Sequence, residues 1–264
     1  MDAPAPLLTP GEPPAVTVLN SQGRAPVLLV CDHASKRVPD ALADLGLPDA
    51  ELSRHIGWDI GAAAVTERLA ALLDAPAVLT GYSRLVVDCN RRPDDPTLMP
   101  EISDGTIVPG NLNLTAAERE RRLAALFRPY HDTVAGLLAA SLDRGMVPAV
   151  ISVHSFTPVM RGFARPWHVG VLWNRDPRLA VPLLESLAAE GDLVVGDNEP
   201  YSARTGCGHT INTHCEPAGI PSVMLEIRQD LIGDADGANA WADRLHRLFR
   251  PILARDGLNG LRVY

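Results

Sequence analysis

Three short apolar runs in this chain each end at side chains that can bind a metal or move a proton. The first run precedes Asp32 and His33, the second precedes His154, and the third precedes Glu226. Hydrolytic zinc sites use three protein ligands and leave a fourth position for water, whose pKa the metal lowers. Because the two histidines share the same sequence context, we predict that both are metal ligands.

Glu226 interrupts a run that otherwise has the composition of a protein core. A buried carboxylate is costly unless it has a cation or a metal-bound water beside it, or a raised pKa. Two interpretations follow. Glu226 is either the general base beside the metal, which we favour, or one half of a structural ion pair with Arg228 or another arginine.

The elements around these side chains explain how they meet. Residues 27–30, 149–153 and 222–225 are apolar and β-prone, which is typical of strands buried on both faces of a parallel or mixed sheet. Ligand sites in such sheets lie beyond the carboxyl ends of the strands. We therefore expect segments far apart in the chain to bring two imidazoles and a carboxylate to one edge.

Asp59 is the candidate third ligand, because it lies just before a predicted helix and can face the same edge. The alternative is that Asp59 caps this helix, a role that aspartate fills well, and the sequence leaves the two interpretations open. His55 and Asp32 are weaker candidates for this ligand, and we interpret them instead as residues that orient a ligand imidazole through a hydrogen bond.

Arginines are the candidate carboxylate-binding residues. Arg84, Arg91 and Arg92 surround a strand predicted over residues 85–88 and lead into a long loop over residues 91–110. Arginine binds carboxylates bidentately, and loops of this length tend to be functional. The alternative is that the arginines pair with nearby acidic residues, namely Asp88, Asp94 and Asp95.

A polar, glycine-containing stretch over residues 206–214 precedes the run that ends at Glu226. Such a stretch can close over a substrate and supply a hydrogen-bond donor. Within it, His209 is the candidate substrate-binding residue, and His214 is interpreted as an ordinary loop histidine.

The remaining pattern alternates strands with helices, which predicts an α/β fold. The further strands are expected at residues 77–80, 169–173 and 193–195, and the helices at residues 61–73, 115–145, 179–190 and 241–252. The second helix is expected to kink at Pro129. No composition break demands a second domain, so we predict a single domain over residues 16–264 after a proline-rich lead-in over residues 1–15.

The composition is that of an ordinary globular protein, with 264 residues, 46% hydrophobic and 21% charged. A net charge of −8 supplies no general attraction for nucleic acid or anionic membranes. Four cysteines without CxxC spacing argue against a disulfide scaffold or a four-thiolate zinc site. There is no signal-peptide pattern and no apolar stretch near the roughly 20 residues that span a bilayer, so we expect a cytoplasmic protein.

Five segments of the chain together resemble the N-formylglutamate amidohydrolase family. They are residues 31–35, 55–59, 83–91, 152–156 and 208–230. Each segment alone is a weak signature, but five in the same order, within residues 27–232, make the resemblance fairly specific. The resemblance implies a fold similar to that of the zinc carboxypeptidase and aspartoacylase group, with a mixed, mostly parallel sheet flanked by helices.

The resemblance also implies zinc-dependent hydrolysis of the N-formyl amide of glutamate, which gives glutamate and formate. It implies that His33 and His154 bind Zn²⁺, that Glu226 activates water, and that Arg91 binds a substrate carboxylate. One departure stands out. The carboxypeptidase pattern has a glutamate three residues after its first histidine, whereas this chain has Lys36 there, so another residue must supply that ligand.

Our prediction is a single-domain, zinc-dependent amidohydrolase that acts on a small N-acylated acidic amino acid. Its predicted site consists of the metal ligands His33, Asp59 and His154, the base Glu226, and the substrate-binding residues Arg84, Arg91 and His209. Two alternatives remain open: another N-acyl amino acid or a small peptide as substrate, and a non-catalytic binding protein on a degenerate hydrolase scaffold, suggested by Lys36. No nucleic-acid or membrane partner is expected, and the oligomeric state is not indicated.

Overall fold

A seven-stranded mixed β-sheet forms the centre of the protein, as described by a computed structural model for residues 6–264. The strands of the described residues, in chain order, are β1 (Val16–Leu19), β2 (Val27–Cys31), β3 (Ala77–Thr80), β4 (Ile102–Ser103), β5 (Thr106–Ile107), β6 (Ala149–Phe156), β7 (Val159–Met160), β8 (Phe163–Ala164), β9 (Val169–Leu172), β10 (Val195–Asp197) and β11 (Ser222–Arg228). The sheet order is β1-β3-β2-β6-β11-β9-β10, while β4 with β5 and β7 with β8 form two separate hairpins.

The four central strands β3, β2, β6 and β11 run parallel, so their carboxyl ends lie at one edge. β1 is antiparallel to β3, and β9 is antiparallel to β11. The predicted single-domain α/β fold with a mostly parallel sheet is therefore confirmed.

Helices cover both faces of the sheet. They are α1 (Asp49–Leu52), α2 (Ala62–Leu73), α3 (Ala116–Arg122), α4 (Arg128–Asp143), α5 (Pro177–Ala189), α6 (His209–His214) and α7 (Ala235–Leu253). Successive side chains of a strand point to opposite faces. Leu29 of β2 accordingly joins the core that contains α2, α5 and α7, while Leu28 and Val30 join the core that contains α4. This two-sided burial explains why the strand sequences are apolar throughout.

The predicted helix after Thr115 is present but interrupted. Thr115 and Glu118 form a capping box at the start of α3. A π-helical turn, Leu123–Phe127, then separates α3 from α4. It ends two residues before Pro129, where a kink was expected because proline lacks the N–H of a regular helix.

The prediction of a strand over residues 85–88 is wrong. This segment is buried but lies outside the sheet. Side chains take the place of a neighbouring strand, since the Asn111 amide donates to the carbonyl of Leu85 (2.9 Å) and Arg122 Nη1 donates to the carbonyl of Val86 (3.2 Å). Buried backbone groups need partners but not strand partners.

The expectation that two strands end at their polar residues was also wrong. β6 continues past His154 to Phe156, and β11 continues past Glu226 to Arg228. Strand pairing depends on backbone groups, so a polar side chain on one face does not end it.

Part of the predicted lead-in packs on the domain. Residues 6–15 form no helix or strand, yet Leu7 is buried and the Tyr82 hydroxyl donates to the carbonyl of Pro13 (2.7 Å). Residues 1–5 lie outside the described residues. Within residues 6–264, every helix is too short or too polar to cross a membrane.

Candidate active site

Three buried side chains from distant parts of the chain meet at the carboxyl-terminal edge of the sheet. His33 follows β2, Asp59 lies in the loop before α2, and His154 lies on β6. The Nδ1 atoms of His33 and His154 are 3.1 Å and 2.8 Å from the same atom, Oδ2 of Asp59. One potential ligand atom from each residue lies within 4.8 Å of the others. Two imidazoles and a carboxylate are a donor set found in catalytic zinc centres, so these residues fit a metal.

A second carboxylate contacts each imidazole from its other side. Nε2 of His33 is 2.7 Å from Oδ1 of Asp88, and Nε2 of His154 is 3.0 Å from Oδ2 of Asp32. With Nε2–H donating to the carboxylate, Nδ1 of each ring faces Asp59 and can present its lone pair to a metal once its own proton is displaced. Metal-binding histidines are typically oriented in this way, and the contact of Asp32 agrees with the orienting role predicted for it.

Hydroxyl groups hold Asp32 in place. Tyr130 of α4 donates to Oδ1 at 2.5 Å, and Thr210 of α6 donates to the same oxygen. Ser152 of β6 lies 3.2 Å from Oδ2. Because these donors come from three different elements, packing of α4 and α6 on the sheet fixes the carboxylate that orients His154.

Arg84 holds Asp88. Its Nε and Nη2 donate to Oδ2 of Asp88 at 3.0 Å and 2.6 Å, and its Nη1 lies 3.4 Å from Oδ1 of Asp59. The backbone N–H of Asn90 donates to the other oxygen of Asp88 (2.9 Å). The guanidinium predicted to bind substrate is thus occupied by two carboxylates of the cluster, which is the alternative considered for these arginines.

The loop that carries Asp59 is bound to both neighbouring ligand segments. The N–H of Asp59 donates to the carbonyl of His33 (3.0 Å), and the N–H of Ser155 donates to Oδ2 of Asp59 (3.3 Å). Gly61, not Asp59, is the N-cap of α2, and no side chain caps this helix. Of the two interpretations of Asp59, the structure therefore favours the ligand over the cap.

Gly61 is required by its conformation and its surroundings. Its φ is +82°, and an added Cβ would lie 2.1 Å from the carbonyl oxygen of Ile232. Residues other than glycine are strained at such angles. A side chain at this position would displace the loop that places Asp59 beside the two histidines.

Glu226 lies next to the cluster. On β11 it is in direct register with His154 of β6, it is only 5% exposed, and its Oε2 has no hydrogen-bond partner among the described residues. Arg228 instead pairs with Asp230 (2.8 Å), so the predicted alternative of a Glu226–Arg228 ion pair is not found. Burial raises the pKa of Glu226 to about 7, which suits a carboxylate that takes up and returns a proton.

The cluster favours protonated imidazoles when no metal is bound. Burial alone lowers the pKa of a histidine, but contacts with Asp32 and Asp59 raise the pKa of His154 well above its ordinary value. For His33, burial and the Arg84 charge lower the pKa, while Asp88 and Asp59 outweigh them and raise it. Metal binding requires neutral imidazoles, so a metal must displace these protons.

We therefore expect zinc affinity to rise with pH throughout the range below the raised pKa values of His33 and His154, by up to tenfold per pH unit for each proton displaced. Chelator competition titrations between pH 6 and 8 measure this slope. Asp32→Asn removes a carboxylate that raises the pKa of His154 and should make the slope shallower. An affinity independent of pH would contradict the protonated state inferred for the metal-free cluster.

Protonation of His33 and His154 also makes the stability of the metal-free protein depend on pH. Because the folded-state pKa of both imidazoles is raised, their ion pairs stabilise the fold fully below about pH 6.5 and lose this contribution as pH rises through the raised values. The increase in Tm on adding zinc should accordingly grow with pH.

A cavity of about 320 Å³ adjoins the cluster, a volume suited to a small molecule. Its lining includes the three clustered residues, Glu226 and Arg91. The Arg91 side chain is 39% exposed and its Nε lies 3.9 Å from Oδ2 of Asp88. Since its guanidinium donates no hydrogen bond to residues 6–264, Arg91 is available to bind an anion.

A family model matches most of the chain. The model, described as N-formylglutamate amidohydrolase, covers residues 25–233. The chain belongs to the N-formylglutamate amidohydrolase family. Among curated relatives, the N-formylglutamate deformylase of Pseudomonas putida is 30% identical over 229 residues, 79% of this chain and 82% of that protein. The N-formylglutamate deformylase of Pseudomonas aeruginosa is 28% identical over 253 residues, 88% of this chain and 91% of that protein.

Two solved structures have a fold similar to that of this chain. A gene product of Agrobacterium tumefaciens is 41% identical, with a TM-score of 0.91 over 94% of this chain and 98% of that chain. The N-formylglutamate amidohydrolase of Ralstonia eutropha JMP134 is 21% identical, with a TM-score of 0.72 over 90% and 97% of the two chains. At this lower identity, the second likeness shows a shared fold alone.

In this family member, His209 lies apart from the cavity. Residues 209–214 form α6 instead of the flexible stretch expected. The ring of His209 lies 5.2 Å from that of His131 and 5.9 Å from that of Phe127, and His209 is not among the cavity-lining residues. We therefore leave it out of the substrate site proposed below. His214 is likewise not an ordinary loop histidine, since its Nε2 lies 2.9 Å from Nδ1 of His131.

The orienting role of Asp88 was missed by sequence reasoning. A usable signal was present, since Asp88, like Asp32, directly follows an apolar run. Tyr130 and Thr210 carried no such signal, because each appears in the sequence as one more residue of a helix or a polar stretch. Their proximity to Asp32 depends on how α4 and α6 pack.

Proposed function

We propose that this protein is a metal-dependent amidohydrolase that cleaves the N-formyl amide of glutamate or of a similar small acidic amino acid. The observation that carries this proposal is the buried carboxylate of Glu226, which has an unpartnered oxygen and lines the same cavity as His33, Asp59 and His154. The relatives named N-formylglutamate deformylase support the choice of substrate.

We propose Zn²⁺ as the metal, held by His33, Asp59 and His154. The choice is supported by the two imidazole nitrogens and one carboxylate oxygen in this buried cluster, because zinc is commonly bound by such sets. When bound, zinc supplies Lewis acidity that activates water and polarises an amide carbonyl.

The chain's own residues account for the proton transfers. Glu226 accepts a proton from the water that attacks the formyl carbon, and it returns this proton to the amide nitrogen as the C–N bond breaks. The products are formate and the free amino acid. The pKa of about 7, raised by burial, lets Glu226 serve as base and then as acid near neutral pH.

Arg91 is the proposed partner of a substrate carboxylate. It lines the cavity and lacks a close carboxylate, with Asp88 and Asp95 both at 3.9 Å. Arg84 is instead proposed to position Asp88 and Asp59, since it is engaged by both.

The alternative of a non-catalytic scaffold rested on Lys36. Lys36 Nζ donates to Oδ1 of Asp49 and to Oγ of Ser53, both at 2.7 Å, so this side chain is engaged elsewhere. Asp59 lies where the cluster needs a carboxylate, and the sequence departure therefore gives no support to a degenerate site.

Assays of the zinc-loaded protein with N-formylglutamate, N-acetylglutamate and a glutamyl dipeptide test the proposal. We expect formate and glutamate to appear in equal amounts from N-formylglutamate, with slower turnover of the other two. Stripping the metal should abolish the activity and reloading should restore it. Fully loaded protein that releases no formate above the blank would refute the proposed reaction.

The cytoplasmic location expected from the sequence remains a prediction. It is supported by the cysteines, which are all free thiols, as is usual in a reducing compartment.

A further inference from the structure

The walls of the cavity differ in how their positive charges are balanced. On one wall, Arg84 faces Asp88 and Asp59 at hydrogen-bond distance, and Arg91 has Asp88 at 3.9 Å. The other wall comes from the β7–β8 hairpin, the end of β6 and Tyr201. Arg161 belongs to this wall and Arg165 lies behind it, against Phe156 and Tyr201, and neither forms an ion pair with a carboxylate of residues 6–264.

Arg165 is a buried cation held by neutral groups. It is 8% exposed, and its Cζ lies 5.6 Å from the centre of the Phe156 ring and 5.0 Å from that of Tyr201. Its Nη1 donates to the Thr157 carbonyl (3.3 Å) and to the Tyr201 hydroxyl oxygen (3.1 Å). Nε and Nη2 donate to no described residue. Burying an unpaired charge is costly, so a negative charge bound nearby would stabilise this guanidinium.

Tyr201 connects Arg165 to the cavity through a hydrogen bond. Its hydroxyl oxygen accepts from Arg165, which leaves the phenolic proton free to be donated. Tyr201, Phe156 and Thr157 all line the cavity, so Arg165 lies directly behind its wall. A hydroxyl that accepts a bond from a cation is a stronger donor in turn, because successive hydrogen bonds polarise one another.

Arg161 adds a second positive charge to the same wall. It lines the cavity and forms the two-residue turn of the β7–β8 hairpin with Gly162, at φ values of 50° and 80°. Positive φ at both turn positions is the geometry of a tight type I′ hairpin. The turn therefore places Arg161 by backbone conformation at the rim of the cavity.

We propose that Arg161, Arg165 and Tyr201 form a second carboxylate subsite that binds the side-chain carboxylate of the substrate. Arg91 then binds the α-carboxylate, since it adjoins Asp88, which contacts the His33 imidazole. The α-carboxylate is one carbon from the scissile amide nitrogen and must lie near the metal cluster. The substrate class is therefore N-formyl amino acids with an anionic side chain. This inference rests on the proposed amidohydrolase function.

Kinetics of Tyr201→Phe and Arg161→Ala, each with N-formylglutamate and N-formylglutamine, test the subsite. Tyr201→Phe keeps the ring over Arg165 and removes only the hydroxyl. Each variant should raise KM for N-formylglutamate about tenfold or more, since hydrogen bonds to charged groups are lost, while KM for the neutral glutamine derivative changes less than about twofold. Arg250→Ala, at an exposed position on α7, serves as the control and should change neither value.

Binding of glutarate and butyrate to the zinc-loaded protein, measured by calorimetry, separates the subsite from the reaction. If the protein hydrolyses N-formylglutamate but both variants keep the wild-type preference for the glutamate derivative, the subsite is refuted and the proposed function stands. If the protein has no formyl hydrolase activity but prefers glutarate to butyrate, and both variants lose that preference, the subsite stands and the proposed function fails. Equal affinity of the wild type for the two acids refutes the subsite.

Discussion

Replacing Glu226 with glutamine is expected to lower kcat by about 10²–10⁴-fold, the usual contribution of general acid–base catalysis. An amide of the same size cannot accept the proton of the attacking water. Because Glu226 is not one of the three clustered ligand residues, zinc content should stay at the wild-type level. Steady-state kinetics together with metal analysis measure both quantities.

The control for this prediction is Glu185→Gln, at an exposed position on α5, which should retain wild-type turnover. A Glu226→Gln protein that loses both zinc and its fold would make this carboxylate structural. Turnover within a few-fold of wild type would show that another group moves the proton.

Replacing Asp59 with alanine is expected to have the largest effect on metal binding. The substitution removes the carboxylate on which both Nδ1 atoms converge. Asp32→Asn and Asp88→Asn, which disturb only the far side of each imidazole, should weaken zinc binding by about 10–100-fold, and Asp59→Ala should weaken it by more than either. Chelator competition at fixed pH measures the series.

Asp104→Asn provides the matched control. Asp104 lines the same cavity but pairs with Arg54 and contacts no member of the metal cluster, so its loss should leave zinc affinity unchanged. Equal affinities for Asp59→Ala and Asp104→Asn would remove Asp59 from the ligand set. The Tm of each metal-free variant separates loss of a ligand from loss of the fold.

The centre of the candidate site could be predicted from the sequence because its signal is local. Apolar runs followed by His33, His154 and Glu226 can be read without knowing any contact, and parallel strands bring their carboxyl ends together. Asp59 was found as one of two alternatives only. Whether it is a ligand or a cap depends on the bond that its N–H donates to the His33 carbonyl and on the bond that its Oδ2 accepts from the Ser155 N–H, which no local pattern encodes.

The arginines show where sequence reasoning fails. Arg84 and Arg91 look equivalent along the chain, but only Arg84 is engaged at close range by Asp88. That difference arises from the turn over residues 84–90, in a segment that was predicted to be a strand. Arg161 and Arg165 were missed because strands of two residues have no usable periodicity, and the importance of Arg165 lies in the absence of a carboxylate among its neighbours.

The register between β6 and β11 divides the site into two parts with different evolutionary freedom. His154 and Glu226 lie opposite each other in a ladder of backbone hydrogen bonds, so their separation is set by strand pairing and is insensitive to surface substitutions. The residues proposed to bind the substrate carboxylates, by contrast, lie on turns and hairpins outside the sheet. Exchanging the β7–β8 hairpin is therefore expected to change which amino acid is accepted while the groups proposed to act in catalysis stay in place. Diversification of substrates within such a family is expected to concentrate in these peripheral segments.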